Sequence, residues 1–175
     1  MTTPPNHHPV LLDEVVTLLA PQPGDVILDC TLGRGGHSAA LAGAADNTTV
    51  VGMDLDETNL AFADARLREA GITCHSTHGN FVRAPETLQG AGLAADIVLA
   101  DLGFASNQVD DPTRGFSFRH DGPLDMRLDP TGPITAASLL ASLPERDLAE
   151  LIARHGEEPL AARIAQKVAQ ERSPR

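Results

Sequence analysis

Three aspartates, Asp29, Asp54 and Asp101, stand at the ends of short apolar runs in the chain. The runs read VILDC, TVVGMD and IVLAD, as expected of strands that are buried on both faces. In a parallel sheet the carboxyl ends of the strands share one edge, and the ligands of doubly wound folds bind there. Because carboxylates accept hydrogen bonds, this edge suits a ligand that carries hydroxyl or amine groups.

A glycine-rich turn, GRGGH at residues 33–37, follows Asp29 and precedes a helical pattern. Glycines at a strand-to-helix turn permit positive φ and let a ligand approach the backbone. Asp54 follows by about 20 residues, where a carboxylate grips ribose hydroxyls. The dinucleotide pattern G-x-G-x-x-G fails, since its third glycine would fall on Ser38. This argues against a nicotinamide-dependent dehydrogenase and favours the looser turn of methyltransferases; the alternative is that the glycines only shape a turn.

The elements that must position these residues alternate between strand and helix. The predicted strands are Val26–Cys30, Thr49–Asp54, Ile72–His75 and Ile97–Asp101, with helices over 10–20, 37–43, 58–70 and 85–90. This alternation indicates an α/β fold with a parallel sheet and right-handed crossovers. After a segment rich in Gly, Pro and Asp, helical patterns return over 135–143, 144–155 and 157–170, the last with an apolar stripe of Leu160, Ile164 and Val168. We expect this stripe to lie in the core of the helical region. We therefore predict a ligand-binding domain over 1–109 and a helical region over 110–175.

Composition limits the classes of function. The chain has 175 residues, of which 42% are hydrophobic, enough for one domain with a real core. Its formal net charge of −11 argues against sequence-independent binding to naked nucleic acid. The two cysteines show no paired spacing, and no apolar run approaches transmembrane length. A cytoplasmic protein without membrane attachment is expected.

Possible metal sites are weighed against simpler roles. Five aspartates crowd the segment after residue 109 but lack the spacing of a calcium loop, so we expect turns and pairing with nearby arginines. Cys74 and His78 have no second pair of ligands with which to complete a metal site. Cys30 is expected to be a small buried hydrophobe. No metal is therefore predicted.

Several segments together resemble one family. They read HHPVLLDEVV, LDCTLGRGGHS, HGNF, DLGFASNQVDDPTRGFSFRHDGPLDMRLDP and HGEEPLAARIA. The chain is similar to the MraW family, which methylates the N4 amine of a decoding-centre cytosine in bacterial 16S ribosomal RNA. The resemblance runs from about His7 to the C-terminus, and Asp110–Asp129 is its most specific part. It implies a Rossmann-like class I methyltransferase sheet of about four strands followed by a small helical insertion, with S-adenosylmethionine as cofactor and ribosomal RNA of the small subunit as partner.

The resemblance also implies particular site residues. The implied cofactor contacts are Gly35, Gly36, His37, Asp54, Phe81, Asp101 and Gln108. The glycine turn would approach the methionine part, Asp54 would accept hydrogen bonds from the ribose hydroxyls, and Phe81 would pack beside the adenine. His7 and His8 would lie near the cofactor.

Methylation of a cytosine amine suggests two candidate catalytic residues. The amine is a poor nucleophile, so catalysis needs acceptors for its hydrogens and a methyl group held in line. Our hypothesis is that Asp101, or a nearby backbone carbonyl, accepts an amine hydrogen while Phe104 stacks on the unstacked base. The alternatives are that Asp101 serves the cofactor alone and that Phe104 is a core residue. Arg114, Arg119 and Arg127 are candidates for phosphate contact.

Two departures from the family pattern bear on activity. Where the family reads DLGVSSPQ, residues 101–108 read DLGFASNQ, which keeps Asp101 and Gln108. Family members also continue well past the point where this sequence ends, at Arg175. We therefore expect an N-terminal part of such an enzyme. The alternative function is a non-catalytic fragment that at most binds S-adenosylmethionine and self-associates through an exposed sheet edge.

Overall fold

A computed structural model describes residues 9–172 of the chain. His7 and His8, which the resemblance places near the cofactor, lie outside the described residues. The chain divides into two compact units, one ending at Ala105 and the other beginning at Ser106. The predicted boundary was between residues 109 and 110, whereas the observed division places a short helix from Ser106 in the second unit.

The first unit is built on a parallel sheet of four strands. The strands are β1 (Val26–Asp29), β2 (Thr49–Asp54), β3 (Thr73–His78) and β4 (Ile97–Leu99), in the order β3-β2-β1-β4. The predicted α/β fold with its Rossmann-like parallel sheet is confirmed. Strand β4 ends at Leu99, because its partner β1 offers pairing only as far as Asp29. Asp101 therefore lies in the loop beyond the strand and not at its last position.

Helices connect the strands of the first unit. They are α1 (Leu12–Leu19), α2 (Gly36–Gly43), α3 (Glu57–Glu69) and α4 (Ala84–Ala91), with a 3-10 turn at Phe81–Arg83 before α4. The local sequence sets the ends of α3. The Asp56 carboxyl accepts hydrogen bonds from the backbone N–H groups of Thr58 and Asn59, and Gly71 follows the helix with a φ of 71°.

The core lies on both faces of the sheet. Ile27 pairs in register with Val50, and Leu28 pairs with Val51. Because successive side chains of a strand point to opposite faces, these two pairs belong to separate apolar clusters. All four side chains are buried, which explains why the strands read as continuous apolar runs. At the edge, by contrast, Val98 of β4 is 58% exposed.

The second unit is helical after an irregular segment. Its helices are α5 (Ser106–Asp110), α6 (Ala136–Ser142), α7 (Glu145–Gly156) and α8 (Ala161–Glu171), with a 3-10 turn at Pro112–Arg114. Thr135 and Ser138 form a reciprocal capping box that begins α6. Among residues 9–172, no helix has both the length and the apolar character needed to cross a bilayer.

The apolar stripe predicted for the last helix is wrong in its orientation. Helix α7 packs on α8 and buries Leu148, but the buried residues of α8 are Ala161 and Ala165. Leu160 and Ile164, which the prediction placed in the core, are 52% and 40% exposed. Small alanine side chains allow two helices to approach closely, so the contact face of α8 is set by size and not by hydrophobicity alone.

Candidate functional site

The glycine turn is held between the ends of β1 and β2. The backbone N–H of Gly33 donates to Oδ2 of Asp54 at 2.7 Å, and the N–H of Leu32 donates to the carbonyl of Met53 at 2.9 Å. Gly33 and Gly35 have φ values of 52° and 71°, a left-handed region that favours glycine. The predicted turn therefore lies at the carboxyl ends of the strands, beside Asp54.

Packing within the protein explains two of the glycines. A Cβ on Gly35 would lie 3.3 Å from Cβ of Ala63 on α3, and a Cβ on Gly36 would lie 2.5 Å from Cγ of Pro9. The close approach that these glycines permit is thus to other parts of the chain. A Cβ on Gly33 would meet only the Thr31 carbonyl oxygen, at 3.7 Å. The interpretation of the glycines as shaping the turn accounts for Gly35 and Gly36 without any ligand.

Asp54 stands at the centre of this edge. Its two oxygens accept hydrogen bonds from the N–H groups of Gly33, at 2.7 Å, and of Asp56, at 2.9 Å. Burial raises the pKa of the carboxyl, and hydrogen bonds from the backbone N–H groups of Asp56, Gly33 and Leu55 act in the opposite direction. Because a carboxylate has about four acceptor positions, Asp54 keeps capacity for hydroxyl groups of a ligand.

Phe81 lies in a loop that is tied to the same strand. The N–H of Gly79 donates to the backbone carbonyl of Asp54 at 2.9 Å, and the Asn80 side chain caps the short turn that contains Phe81. The Phe81 ring is 40% exposed. The structure therefore brings the aromatic residue predicted for the adenine into the loop next to the predicted ribose acceptor.

Asp29 has a structural role that the sequence did not reveal. It is 1% exposed, and its carboxyl accepts hydrogen bonds from Ser38 Oγ at 2.5 Å and from the N–H of Thr31 at 3.0 Å. Burial raises its pKa, while these hydrogen bonds lower it. Asp29 thus joins the end of β1 to the first turn of α2 and is closed to a ligand.

Thr31 connects this buried carboxyl to Asp101. The N–H of Asp101 donates to Thr31 Oγ1 at 2.8 Å, and the Thr31 hydroxyl lies 3.4 Å from Asp29 Oδ1. The Asp101 side chain is 56% exposed, with Oδ2 3.7 Å from Nδ1 of His37. Two of the three aspartates predicted to share one edge, Asp29 and Asp101, are thus linked through a threonine that sequence reasoning missed.

Phe104 and its neighbour form an exposed apolar pair beyond Asp101. Phe104 is 60% exposed and Leu102 is 71% exposed. The alternative interpretation of Phe104 as a core residue is therefore wrong. Phe104 comes three residues after Asp101, and an exposed aromatic ring can stack on a flat ligand.

In the second unit, two of the predicted phosphate-binding arginines hold a loop together. Arg114 donates to the backbone carbonyls of Arg127 and Leu128, at 3.1 and 3.0 Å. Arg127 forms a bidentate ion pair with Asp125, at 2.8 and 2.6 Å, and donates to the Gly132 carbonyl at 2.5 Å. The predicted pairing of aspartate with arginine is thus found for Arg127, whereas Arg114 donates to backbone carbonyls.

Arg119 is placed differently. It is exposed at the tip of the same loop, next to Phe118, which is 95% exposed. Gln108, implied as a cofactor contact, lies on α5 and is 4% exposed. Of the residues predicted in this unit, Arg119 alone has its charged group at an open surface.

The clustered aspartates form turns. Asp111 and Asp129 each begin a D-P-T sequence, and the carboxyl of each accepts hydrogen bonds from the N–H and the hydroxyl of the threonine two positions later. Such Asx turns fix the backbone locally. Over residues 9–172, no group of three or more His, Cys, Asp or Glu side chains is arranged to hold a metal ion.

The two cysteines are ordinary packing residues. Cys74 packs against one core cluster, and burial raises the pKa of its thiol to about 11. Cys30 packs against the other cluster, where burial also raises the thiol pKa. Both thiols therefore stay protonated near neutral pH, which suits neither a nucleophile nor a metal ligand.

The Asp125–Arg127 pair gives a pH-dependent prediction. Hydrogen bonds from Arg127 lower the pKa of Asp125 from 3.8 to about 2. The stabilisation from this pair is therefore complete above pH 3.8 and is lost as the pH falls through about 2. Carboxyl-carbon NMR should follow this titration, and Arg127→Gln should return the midpoint to the ordinary range. The control Arg146→Gln, at a 90% exposed side chain, should leave it unchanged; an equal response to both substitutions contradicts the assignment.

Comparison with known proteins identifies the family of this chain. The sequence profile of the MraW methylase family matches residues 5–175. The chain belongs to the MraW methylase family. It is 46% identical over 166 residues to the ribosomal RNA small subunit methyltransferase H of Leifsonia xyli, covering 93% of this chain and 51% of that protein. It is 49% identical over 162 residues to the protein of the same name from Myxococcus xanthus, covering 93% and 52%. The chain thus spans about half the length of the curated MraW relatives it matches.

Proposed function

We propose that this chain forms the nucleotide-binding part of a cytoplasmic enzyme that transfers a methyl group from S-adenosylmethionine to the N4 amine of a cytosine. The proposed target is the decoding centre of 16S ribosomal RNA in the small ribosomal subunit. The observation that carries the proposal is the edge of the sheet, where Asp54 accepts a hydrogen bond from the glycine turn and Thr31 joins Asp101 to the buried Asp29. Membership of the MraW methylase family supports methyl transfer as the reaction.

The cofactor residues follow from this edge. Asp54 would accept hydrogen bonds from the ribose hydroxyls, and Phe81 would pack beside the adenine. Gly33, whose added Cβ would meet only one protein atom, leaves room for the methionine part to approach the backbone. S-adenosylmethionine supplies the electrophilic methyl group. The backbone of Gly35–His37 completes the proposed contacts within the first unit.

Asp101 and Phe104 would act on the base. The lone pair of the cytosine amine is delocalised into the ring, so an acceptor for its hydrogens helps the nitrogen to become tetrahedral. The Asp101 carboxylate is open to solvent and held by its backbone bond to Thr31. The exposed Phe104 ring would stack on a base that has left its own stack.

The proposed RNA contact in the second unit rests on Phe118 and Arg119. The hydrogen bonds of Arg114 and Arg127 close the base of the loop that carries them. Proteins that recognise unpaired RNA combine aromatic stacking with arginine contacts to phosphate. Such a local site allows an acidic protein to bind a ribosomal subunit.

Substitutions at the tip of this loop should weaken binding to the subunit. Phe118→Ala should raise the KM for small subunits by a factor of about 5–100, the value of one base–aromatic stack. Arg119→Ala should weaken binding and reduce the slope of its salt dependence by about 1. The control Arg154→Ala, at an exposed position on α7, should change neither quantity. Equal effects at Arg119 and Arg154 would place the RNA elsewhere.

The direct test is methyl transfer from labelled S-adenosylmethionine to small subunits that lack the modification, with mass spectrometry to locate the label. A methyl group on N4 of a single cytosine supports the whole proposal. A methyl group on another atom or another base rejects the proposed specificity for cytosine N4 but still supports methyl transfer to ribosomal RNA. Cofactor binding measured by calorimetry on the same preparation separates loss of chemistry from loss of binding.

A second candidate function is binding of S-adenosylmethionine without catalysis. The chain spans about half of its matched relatives, and β4 is an edge strand with Val98 58% exposed. An unpaired edge with apolar side chains promotes association of copies. Sedimentation should then show oligomers, and Val98→Lys should return the chain to a monomer. Cofactor binding without methyl transfer would favour this candidate, whether the protein is a monomer or an oligomer.

A further inference from the structure

We propose that Arg34 and Phe62 are positioning residues that hold the glycine turn on α3, in the place where the turn meets Asp54. The inference rests on the proposed function, because the turn and Asp54 are proposed contacts of S-adenosylmethionine. Both side chains act through the backbone of the turn and not on the cofactor itself. The guanidinium carbon of Arg34 lies over the Phe62 ring, 3.8 Å from the ring centroid.

The tip of the glycine turn has few groups that could hold it in place. The N–H of Gly35 donates to the carbonyl of Leu32 at 2.8 Å and closes a β-turn. Gly33 and Arg34 are the central residues of this turn. The other three residues of the GRGG stretch are glycines, which lose more conformational freedom on folding than any other residue. Arg34 is therefore the only residue of the stretch whose side chain can hold the turn.

The guanidinium group of Arg34 is held by its face. Its distance of 3.8 Å from the ring centroid lies well inside the range of about 6 Å over which an aromatic ring attracts a cation. Within residues 9–172, the Arg34 side chain forms no ion pair and no hydrogen bond, so the ring is its principal partner. Arginine keeps its charge at any pH at which the protein is folded, and the attraction therefore depends on no protonation state.

Helix α3 offers the turn a fixed surface. A Cβ on Gly35 would lie 3.3 Å from Cβ of Ala63, the residue that follows Phe62. Ala63 is fully buried and belongs to the core cluster on that face of the sheet. The turn thus meets α3 twice, through the backbone of Gly35 and through the side chain of Arg34.

The contact with α3 fixes the backbone N–H of Gly33. This group donates to Oδ2 of Asp54 at 2.7 Å, and Gly33 is the residue directly before Arg34. Movement of Arg34 away from α3 would rotate the neighbouring peptide group and lengthen this bond. The stack on Phe62 therefore helps to set the direction in which Asp54 presents its remaining acceptor positions to a ligand.

Cofactor affinity tests the stack through substitutions of the ring. Phe62→Leu keeps an apolar side chain but removes the ring, and it should weaken S-adenosylmethionine binding by a factor of about 3–10, the value of a partly shielded contact between a cation and a ring. Phe62→Tyr keeps the aromatic face and should bind within about twofold of the wild type. A loss in Phe62→Tyr as large as that in Phe62→Leu overturns the proposal.

A double-substitution cycle tests whether the two side chains act as one contact. Arg34→Met removes the charge at similar length, and with it present Phe62→Leu should cause less than about a twofold further loss of affinity. Full additivity of the two losses contradicts a shared role. Arg68→Met is the matched control, since Arg68 is an exposed arginine on α3, and it should leave the affinity unchanged. Equal losses for Arg68→Met and Arg34→Met reject the inference.

Amide hydrogen exchange of the ligand-free chain makes the test independent of cofactor binding. Phe62→Leu should speed exchange at Gly33 by a factor of about 3–10 and leave the buried Val50 of β2 at the wild-type rate. The same variant keeps the Arg34 charge but should raise the pKa of Asp54, because the hydrogen bond from Gly33 lowers that pKa.

The exchange rates also separate a positioning role from a general loss of stability. Equal acceleration at Gly33 and Val50 would show that the stack only stabilises the fold, and an unchanged rate at Gly33 would show that the turn is held without it. Either result rejects the inference. Failure of the wild-type chain to bind S-adenosylmethionine contradicts the proposed function and leaves the exchange rates to decide the roles of Arg34 and Phe62.

Discussion

Replacement of Asp101 by alanine is expected to reduce the rate of methyl transfer by a factor of about 10²–10⁴, the usual contribution of a positioned acid–base group. The substitution removes the proposed side-chain acceptor for the amine hydrogens while keeping the backbone N–H that donates to Thr31. The side chain is 56% exposed, so its loss should leave the fold unchanged. The measurement is single-turnover transfer of a labelled methyl group at saturating S-adenosylmethionine and small subunits.

The two proposed roles of Asp101 give different kinetics. If it acts on the amine, kcat falls and stays low at any cofactor concentration. If it serves the cofactor alone, the KM for S-adenosylmethionine rises and saturation restores kcat. Asp46→Ala is the matched control, because Asp46 is an exposed aspartate before β2, at the opposite end of the sheet. Wild-type rates in Asp101→Ala reject both roles.

The sheet was predictable because burial on both faces leaves a clear trace in the sequence. Continuous apolar runs identified β1 and β2, and the alternation with helical patterns identified the parallel arrangement. Strand β3 was predicted to be shorter, since its sequence TCHSTH is polar and only backbone pairing along β2 extends it to His78. The end of β4 depends on the length of β1, which no local pattern reports.

The position of the candidate site was predictable from the sequence, but the different roles of its aspartates were not. Three aspartates near the strand ends looked equivalent, yet Asp29 is 1% exposed and Asp101 is open. The difference arises because Ser38 and Thr31 face Asp29, a contact between α2 and β1 that depends on tertiary structure. An aspartate two positions before a threonine is a usable signal, since Asp29, Asp111 and Asp129 all form this bond.

In the second unit, the positive charge of the arginines does not by itself predict their role. Arg114, Arg119 and Arg127 were grouped as phosphate contacts, and two of them instead donate to backbone carbonyls of their own loop. The planar guanidinium group of arginine carries five N–H donors, so one arginine can donate hydrogen bonds to several backbone carbonyls of an irregular loop. In a segment rich in Gly, Pro and Asp, carbonyls without helix or strand partners need such donors, so arginines there serve structure first.

Replacement of Asp29 by alanine should lower the free energy of unfolding of the first unit by about 3 kcal/mol, because it leaves buried donors without an acceptor. Asp29 accepts from Ser38 and Thr31, and Ser38 itself is 0% exposed. Ser38→Ala should cost less, about 1–2 kcal/mol. Chemical denaturation measures both values. Ser142→Ala, at an exposed serine on α6, is the control and should cost less than about 0.5 kcal/mol.

Asp29→Asn separates the hydrogen bonds from the buried charge. The amide oxygen can still accept from Thr31 and the amide nitrogen can donate to Ser38 Oγ, so this variant should be more stable than Asp29→Ala. Burial raises the pKa of Asp29, so the folded state keeps the proton to a higher pH than the unfolded chain does. The stability of the wild type relative to Asp29→Asn should therefore fall as the pH rises from the ordinary value of 3.8 through the raised one.

The same comparison removes the effect of Asp54, a partly buried carboxyl on this edge. Burial also raises the pKa of Asp54, but that residue is present in both proteins and its contribution cancels in the difference. A difference in stability that does not change with pH would mean that Asp29 titrates as in the unfolded chain. The Asp29 carboxylate that joins β1 to α2 and Thr31 would then be ionised in the folded protein. The hydrogen bonds from Ser38 and Thr31 would have to offset the free energy of burying that charge.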